Sequence, residues 1–323
     1  MAVGRRPRLV VLRALGLGDL LTAVPALRAL ARAFPGHERL LVAPAALEPL
    51  VRVLGGAVDR LVPAGALEPL APELHGSEVA VNLHGRGPQS HRLLLDAGAE
   101  RLLWFEHDEV QESRGAPRWR AGEYEPERWC RLLTEYGVAA DPGELDIEPP
   151  AGEPPPGAAG ATLIHPGAAS VSRRWPPERF AAVAREEISS GRAVAITGGP
   201  AEVPLAREVA ALAGSDRVAV LAGRTDLAEL ASAVAGAERV LCGDTGVAHL
   251  ATALGTPSVV LFGPSAPSEW GPPAGRTRHR VLWSGRRGDP HAQEPDPGLL
   301  EIEPADVLVA LDALPRRRQL VLD

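Results

Sequence analysis

The chain has 323 residues, about twice the length of a typical domain, so it holds two cores or one large α/β core. Its 34 basic residues, all arginine, face 41 acids for a formal charge of −7, which removes the diffuse attraction that sequence-independent nucleic-acid binding relies on and makes any anion site local. With 45% hydrophobic and 23% charged residues it is not a disordered chain, and its two cysteines, Cys130 and Cys242, form no CxxC and read as buried thiols of a reducing cytoplasm.

Short apolar runs alternate with Ala/Leu/Arg stretches at helical spacing, the pattern of parallel strands joined by crossover helices. Leu9–Leu12 predicts a strand; the arginines before it look leader-like, but the apolar run stops at Arg13. Then come a helix over Asp19–Ala33 closed by Pro35-Gly36, a strand at Arg39–Val42 and a helix at Leu47–Leu54. Val79–Leu83 and Arg101–Trp104 are further strand candidates. From Asp141 to Gly160, Pro142, Pro149, Pro150, Pro154, Pro155 and Pro156 support neither helix nor ladder. The domain boundary is placed there, giving domains 1–150 and 151–323.

The second half restarts with strand Ala161–Ile164, helix Pro177–Ser190, strand Ala193–Thr197 and helix Pro204–Ala213. Strand Val218–Leu221, helix Asp226–Ala235, strand Arg239–Cys242, helix Val247–Leu254 and strand Ser258–Phe262 complete a doubly wound set. Ser284–Pro297 reads as a polar loop and Pro304–Leu314 as a closing helix with proline in its first turn. No apolar run approaches the roughly 20 residues of a membrane helix, and Arg316-Arg317-Arg318 reads as a solvated tail.

Four strand-to-helix turns concentrate the chemistry. Gly16-Leu17-Gly18-Asp19 opens a helix, where free N–H groups and the helix dipole favour an anion. The dinucleotide fingerprint would need glycine where Leu21 stands, so a nicotinamide cofactor is disfavoured. Asp19 is either a helix cap or a proton-accepting carboxylate at a strand's carboxyl end. His165–Pro176 sets small residues and Ser170 before Arg173 and Arg174, whose planar forks suit a diphosphate or are plain solvated surface. Glu202, after Thr197-Gly198-Gly199-Pro200, either accepts from ribose hydroxyls or caps. Asp244, Thr245 and Gly246 with His249 are either capping groups and a core histidine or a pyrophosphate-sugar site. All lie where open parallel sheets bind ligands, at the carboxyl ends of strands.

These residues together resemble glycosyltransferase family 9, the ADP-heptose:lipopolysaccharide heptosyltransferase-like proteins. The resemblance is carried by Arg13 with Gly16-Leu17-Gly18-Asp19, Pro25-Ala26-Leu27-Arg28, His165-Pro166-Gly167-Ala168, Arg174-Trp175-Pro176 and Glu178-Arg179-Phe180. It continues through Thr197-Gly198-Gly199-Pro200, Glu202, Asp244-Thr245-Gly246, Ala248-His249-Leu250, Ala253-Leu254-Gly255-Thr256-Pro257, Phe262-Gly263-Pro264 and Trp270-Gly271-Pro272, in order over residues 9–314. It implies a GT-B fold, two Rossmann-like doubly wound domains facing across a cleft, the first on the acceptor side and the second on the nucleotide-sugar side. It implies metal-independent, inverting transfer of a sugar, heptose by resemblance, from an ADP-sugar. Asp19 then resembles the general base, and Arg173, where the family usually has lysine, keeps the phosphate-stabilising charge in a broader fork. Ser170, Arg173, Arg174, Glu202, Thr225, Asp244, Thr245, Gly246 and His249 resemble the donor-binding set, with Gly223–Leu227 bordering the base. Gly18, His84, Arg86 and Gln89 are acceptor candidates, against the plainer reading of Asn82–His91 as an ordinary polar loop. Trp104, Trp119 and Trp129 could stack on a sugar, though tryptophan more often packs.

No cofactor or metal is expected beyond the nucleotide-sugar co-substrate. The expected partners are the donor and a glycan, lipid-linked or natural-product acceptor, with no nucleic acid and a monomeric state. The location is cytoplasmic, or peripheral to the inner membrane face for a lipid-linked acceptor. A nucleotide-sugar epimerase and a catalytically silent nucleotide-sugar binder are the rival readings; the epimerase would need further acid/base groups, and retention of Asp19 with Asp244–His249 argues against silence.

Overall fold

The computed structural model describes residues 6–315, and the Arg316-Arg317-Arg318 cluster lies outside them. The chain divides into two compact units, Met1–Ile147 and Glu148–Asp323. The division falls within the proline-rich stretch, where the missing N–H groups and fixed φ of proline allow no regular element.

The first unit runs β1 (Arg8–Leu12), α1 (Leu17–Ala33), β2 (Glu38–Ala43), α2 (Glu48–Val51), β3 (Arg60–Pro63), β4 (Val79–Asn82), α3 (Gln89–Asp96), β5 (Arg101–Leu103) and α4 (Glu125–Glu135). The sheet order is β3-β2-β1-β4-β5, with every pairing parallel. Its central strand β1 is a near-continuous apolar run, as a parallel strand covered on both faces requires. Leu9, Val10, Val11 and Leu12 are all at most 3% exposed. The helix expected over Leu47–Leu54 is broken instead. A single α turn lies between 3-10 turns at Ala45–Leu47 and Arg52–Leu54, and Gly55 and Gly56, at φ 65° and 72°, end it in the left-handed region.

The second unit runs β6 (Thr162–His165), α5 (Pro177–Ser189), β7 (Val194–Ile196), α6 (Val203–Ala213), β8 (Val218–Val220), α7 (Leu227–Gly236), β9 (Arg239–Gly243), α8 (Gly246–Ala253), β10 (Ser258–Phe262), α9 (Pro267–Trp270), β11 (His279–Trp283), α10 (Pro297–Leu300) and α11 (Pro304–Asp312). The order β11-β10-β9-β6-β7-β8, again all parallel, is the Rossmann arrangement. Ile164, Ile196, Leu241, Val259 and Leu261 from the sheet meet Trp175, Phe180, Val183, Val209, Val307 and Leu311 in one core. Two doubly wound parallel α/β units are the architecture of the GT-B class.

Tryptophan takes its plainer role. Trp104 and Trp129 are buried, Trp104 stacking on His91 at 4.8 Å and Trp129 meeting Phe105 and Trp119. The segment Asn82–His91 is no simple loop, because Gln89 starts α3 and His91 is fully buried. Both cysteines are buried and free.

Candidate functional site

In the second unit β9, β6, β7 and β8 are successive neighbours, so the turns leaving them stand side by side along one sheet edge. The turn after β6 carries Arg173, whose Nη1 lies 3.7 Å from Asp244 Oδ2 and 3.4 Å from the Asp244 carbonyl oxygen, on the turn after β9. The backbones approach closely enough that a Cβ on Gly243 would sit 2.9 Å from the Arg173 carbonyl oxygen. Arg173 is 23% exposed, and its buried Nε has no hydrogen-bond partner, so the guanidinium retains donor capacity. Thr245 is the extended N-cap of α8, yet its hydroxyl makes no capping bond. The cap reading therefore does not account for Thr245, and that hydroxyl stands beside the electropositive start of the helix. Gly246 is half-buried at the same turn, and the half-buried His249 ring meets Trp270 edge-on at 6.1 Å.

Arg174 and Ser170 are largely braces. Arg174 Nε donates to the Ala168 carbonyl at 2.9 Å, and Ser170 Oγ lies 3.0 Å from Ser172 Oγ and donates to the Ala292 carbonyl at 3.2 Å. The first two contacts brace the β6 turn internally and the Ser170–Ala292 bond ties it to the 284–297 loop, a role the sequence did not signal. Trp175 is core, its indole N–H donating to Ile302 at 3.0 Å and its ring meeting Phe180 edge-on.

After β7, Glu202 does cap, accepting the Gly199 N–H at 2.7 Å, and its carboxylate also lies over Gly167, where a Cβ would overlap it. His165 Nε2 is 3.8 Å from Glu202 Oε2. Burial pushes the His165 pKa down against the opposing pull of Glu202. The pair is thus a neutral imidazole beside a carboxylate, with His165 Nδ1 3.1 Å from Thr197 Oγ1. The Gly223 N–H donates to Gly198 at 2.9 Å, clipping the β8 turn to the β7 turn, with half-buried Thr225 just beyond.

In the first unit β1 and β4 are neighbours, with Leu12 opposite Asn82, so the Arg13–Asp19 turn and the Leu83–Pro88 segment meet at one edge. Asp19 Oδ2 accepts the Gly16 N–H at 3.2 Å, the capping role, while the side chain stays 28% exposed and its Oδ1 lies 3.4 Å from Arg13 Nη2. Gly18 sits beside it in the first turn of α1. His84 is held by its own N–H to Asn82 Oδ1 at 3.0 Å, and its buried Nδ1 has no partner. Burial and then the Arg13 charge push its pKa down, while Asp19 pulls the other way. His84 thus shares the field of both Arg13 and Asp19, whereas Arg86 and Gln89 are exposed. Among the described residues, no group of three or more His, Cys, Asp or Glu side chains is placed to hold a metal ion.

Residues 137–297 match the sequence pattern of "Glycosyltransferase family 9 (heptosyltransferase)". The chain belongs to glycosyltransferase family 9. As a member of that family it is a glycosyltransferase, and the matched segment contains the turns after β6, β7, β8 and β9. The Gly16–Asp19 motif precedes the match. Among solved structures, Escherichia coli ADP-heptose lipopolysaccharide heptosyltransferase II is similar with a TM-score of 0.78 and 21% identity, over 95% of this chain and 98% of that one. E. coli heptosyltransferase WaaC with ADP is similar with a TM-score of 0.68 and 19% identity, over 94% and 99%. The iron-containing dodecameric glycosyltransferase TibC of enterotoxigenic E. coli H10407 follows with a TM-score of 0.60 and 15% identity, over 97% and 77%. At these identities the likeness is one of fold. No curated protein matches the chain. No helix among the described residues is long and apolar enough to cross a membrane.

Proposed function

We propose that this family 9 glycosyltransferase moves a sugar, heptose in the leading reading, from an ADP-sugar to an acceptor hydroxyl with inversion and without a metal. The observation that carries the reading is the Arg173–Asp244 contact beside the α8 N-terminus, where a guanidinium with spare donors and the unused Thr245 hydroxyl share one sheet edge. That set suits a diphosphate. Solved proteins of this fold are named for ADP-heptose and lipopolysaccharide.

In the first unit Asp19 takes the proton of the acceptor hydroxyl as that oxygen attacks the anomeric carbon. The bond from that carbon to the diphosphate oxygen breaks, and the charge growing on the leaving ADP is met by Arg173 and the start of α8. Glu202 accepts from the ribose hydroxyls, and the turn holding Thr225 borders the base. Ser170, Arg174, Gly246 and His249 complete the donor side; Gly18, His84, Arg86 and Gln89 serve the acceptor, with His84 the best placed beside Asp19. The first domain thus handles the acceptor and the second the donor. The acceptor is a glycan, a lipid-linked sugar or a small natural product, and the protein works as a monomer in the cytoplasm or at the inner membrane face.

Isothermal titration with ADP, UDP, GDP and ADP-heptose in EDTA tests the donor side. Binding confined to the adenine series supports the reading; preference for UDP or GDP, or restoration of binding by iron or magnesium alone, overturns it. Asp19→Asn is expected to bind ADP-heptose normally while losing the ADP release that accompanies transfer of the sugar to an acceptor hydroxyl or to water; unchanged release removes Asp19 from the mechanism.

A further inference from the structure

Arg13 leaves the end of β1 fully buried at 1% exposure, an expensive place for a guanidinium unless every donor is used. Each of its three nitrogens has a partner, and between them they reach three parts of the fold. Nε donates to the Asp19 carbonyl at 2.8 Å, Nη1 to the Leu83 carbonyl, and Nη2 faces Thr22 Oγ1 at 3.2 Å, Glu125 Oε1 at 3.1 Å and Asp19 Oδ1 at 3.4 Å. The fork therefore joins the start of α1, the end of β4 and the start of α4 around the half-buried carboxylate of Asp19.

Glu125, the first residue of α4, is 3% exposed and also takes the Trp129 indole N–H at 2.9 Å and the Arg128 guanidinium. Trp129 lies under the Arg13 guanidinium at 4.8 Å, and Trp119 under that of Arg128 at 4.2 Å. Buried pairs of this kind are often only structural. Here the same Nη2 that meets Glu125 also meets Asp19, so what Glu125 withdraws from the guanidinium is withdrawn from Asp19's surroundings.

We propose that Glu125 is a positioning residue for Asp19, acting through Arg13: it fixes the guanidinium fork against α4 and shares with the Asp19 carboxylate the charge of the one Nη2 that both meet. The proposal rests on the reading of Asp19 as the base. The charged and titratable groups facing this cluster are Arg13 at the end of β1, Asp19 on α1, His84 after β4, Glu123 just before α4, and Glu125 and Arg128 on α4. Neutralising Glu125 leaves Arg13 uncompensated and stabilises the Asp19 anion; neutralising Arg128 gives Glu125 wholly to Arg13 and does the reverse.

The test is carbon-detected titration of aspartate-labelled full-length protein, with the Asp19 carboxyl resonance assigned by its loss in Asp19→Asn. Glu125→Gln is expected to lower the Asp19 midpoint by about half to one pH unit, and Arg128→Gln to raise it by a similar amount. The acid limb of ADP release from ADP-heptose should move the same way in each. Shifts of opposite sign are not what general loosening produces. A midpoint that stays fixed in folded Glu125→Gln, or both variants moving it in one direction, overturns the proposal. Should Glu125→Gln not fold, Arg128→Gln decides alone. If Asp19→Asn keeps its ADP release, the base assignment fails whatever the titration shows, and the two failures are distinguishable.

Discussion

Arg173 Nη1 stands 3.7 Å from Asp244 Oδ2, joining the turns that follow two neighbouring strands. The contact is loose for an ion pair, and the orphaned Arg173 Nε leaves the guanidinium short of partners. A diphosphate would satisfy both deficits. Arg173→Ala is therefore expected to cost about 100-fold in kcat for ADP release from ADP-heptose, the usual scale for one donor to a developing oxyanion. Arg173→Lys should recover part of that, since it keeps the charge and loses the fork. An alanine variant within twofold of the parent rate would take Arg173 out of leaving-group stabilisation.

His91 is fully buried, and its partners fix the tautomer. Nε2–H donates to the Phe105 carbonyl at 2.7 Å, and Nδ1 accepts from Asn82 Nδ2 at 3.1 Å. Burial pushes the His91 pKa below its ordinary value, as it does for His84 and His165. For such groups the unfolded chain binds protons that the folded one refuses, so their stability contribution is complete above about pH 6.5 and is lost as pH falls. Melting temperature should drop by about 5 °C or more between pH 7.5 and 5. His91→Gln should melt lower at pH 7.5 but show a shallower fall; an unchanged slope would show that His91 does not contribute to it.

Contiguous signals were legible in the sequence, and long-range ones were not. The strand expected at Ser258–Phe262 is β10 to the residue, because a fully buried parallel strand writes an unbroken apolar run. β3 and β11 escaped because Arg60 and Pro63, and His279 and Arg280, dilute short runs at the sheet edges. α3 and α4 escaped because QSHRLLLD and EPERWCRLLTE are mostly polar and begin with no Ser, Thr, Asp or Asn cap. The same distinction holds at the site. Glycine-bearing turns such as Thr197–Glu202 and Asp244–Gly246 announce themselves locally, whereas the bond from Arg13 to Glu125 spans 112 positions and leaves no periodic trace. A carboxylate opening a helix with Arg128 and Trp129 three and four residues on was the signal available for it.

Burial raises the Cys130 thiol to about 12, with Asp141, Glu144 and Glu127 adding to the shift, and pushes the Cys242 thiol up as well. Neither thiolate is populated near neutrality, and the thiolate is the reactive form. Ellman's reagent at pH 8 should therefore titrate no thiol in the native protein and both cysteines after denaturation in guanidinium. Rapid native labelling of either one would mean that its cover opens far more readily than the packing implies.

Gly167 sits directly under the Glu202 carboxylate, which is otherwise held by the Gly199 N–H at 2.7 Å. A methyl group at residue 167 would displace the carboxylate without touching the apolar core, so Gly167→Ala separates the placing of Glu202 from folding. Melting should change little. If Glu202 receives the ribose hydroxyls, ADP affinity should fall about tenfold, the scale of one lost charged hydrogen bond. Glu202→Ala should show a comparable loss, and the double variant should lose little more than either alone, because both changes remove one interaction. Additive losses would separate the two residues, and unchanged ADP affinity in both single variants would leave Glu202 as a cap and nothing more.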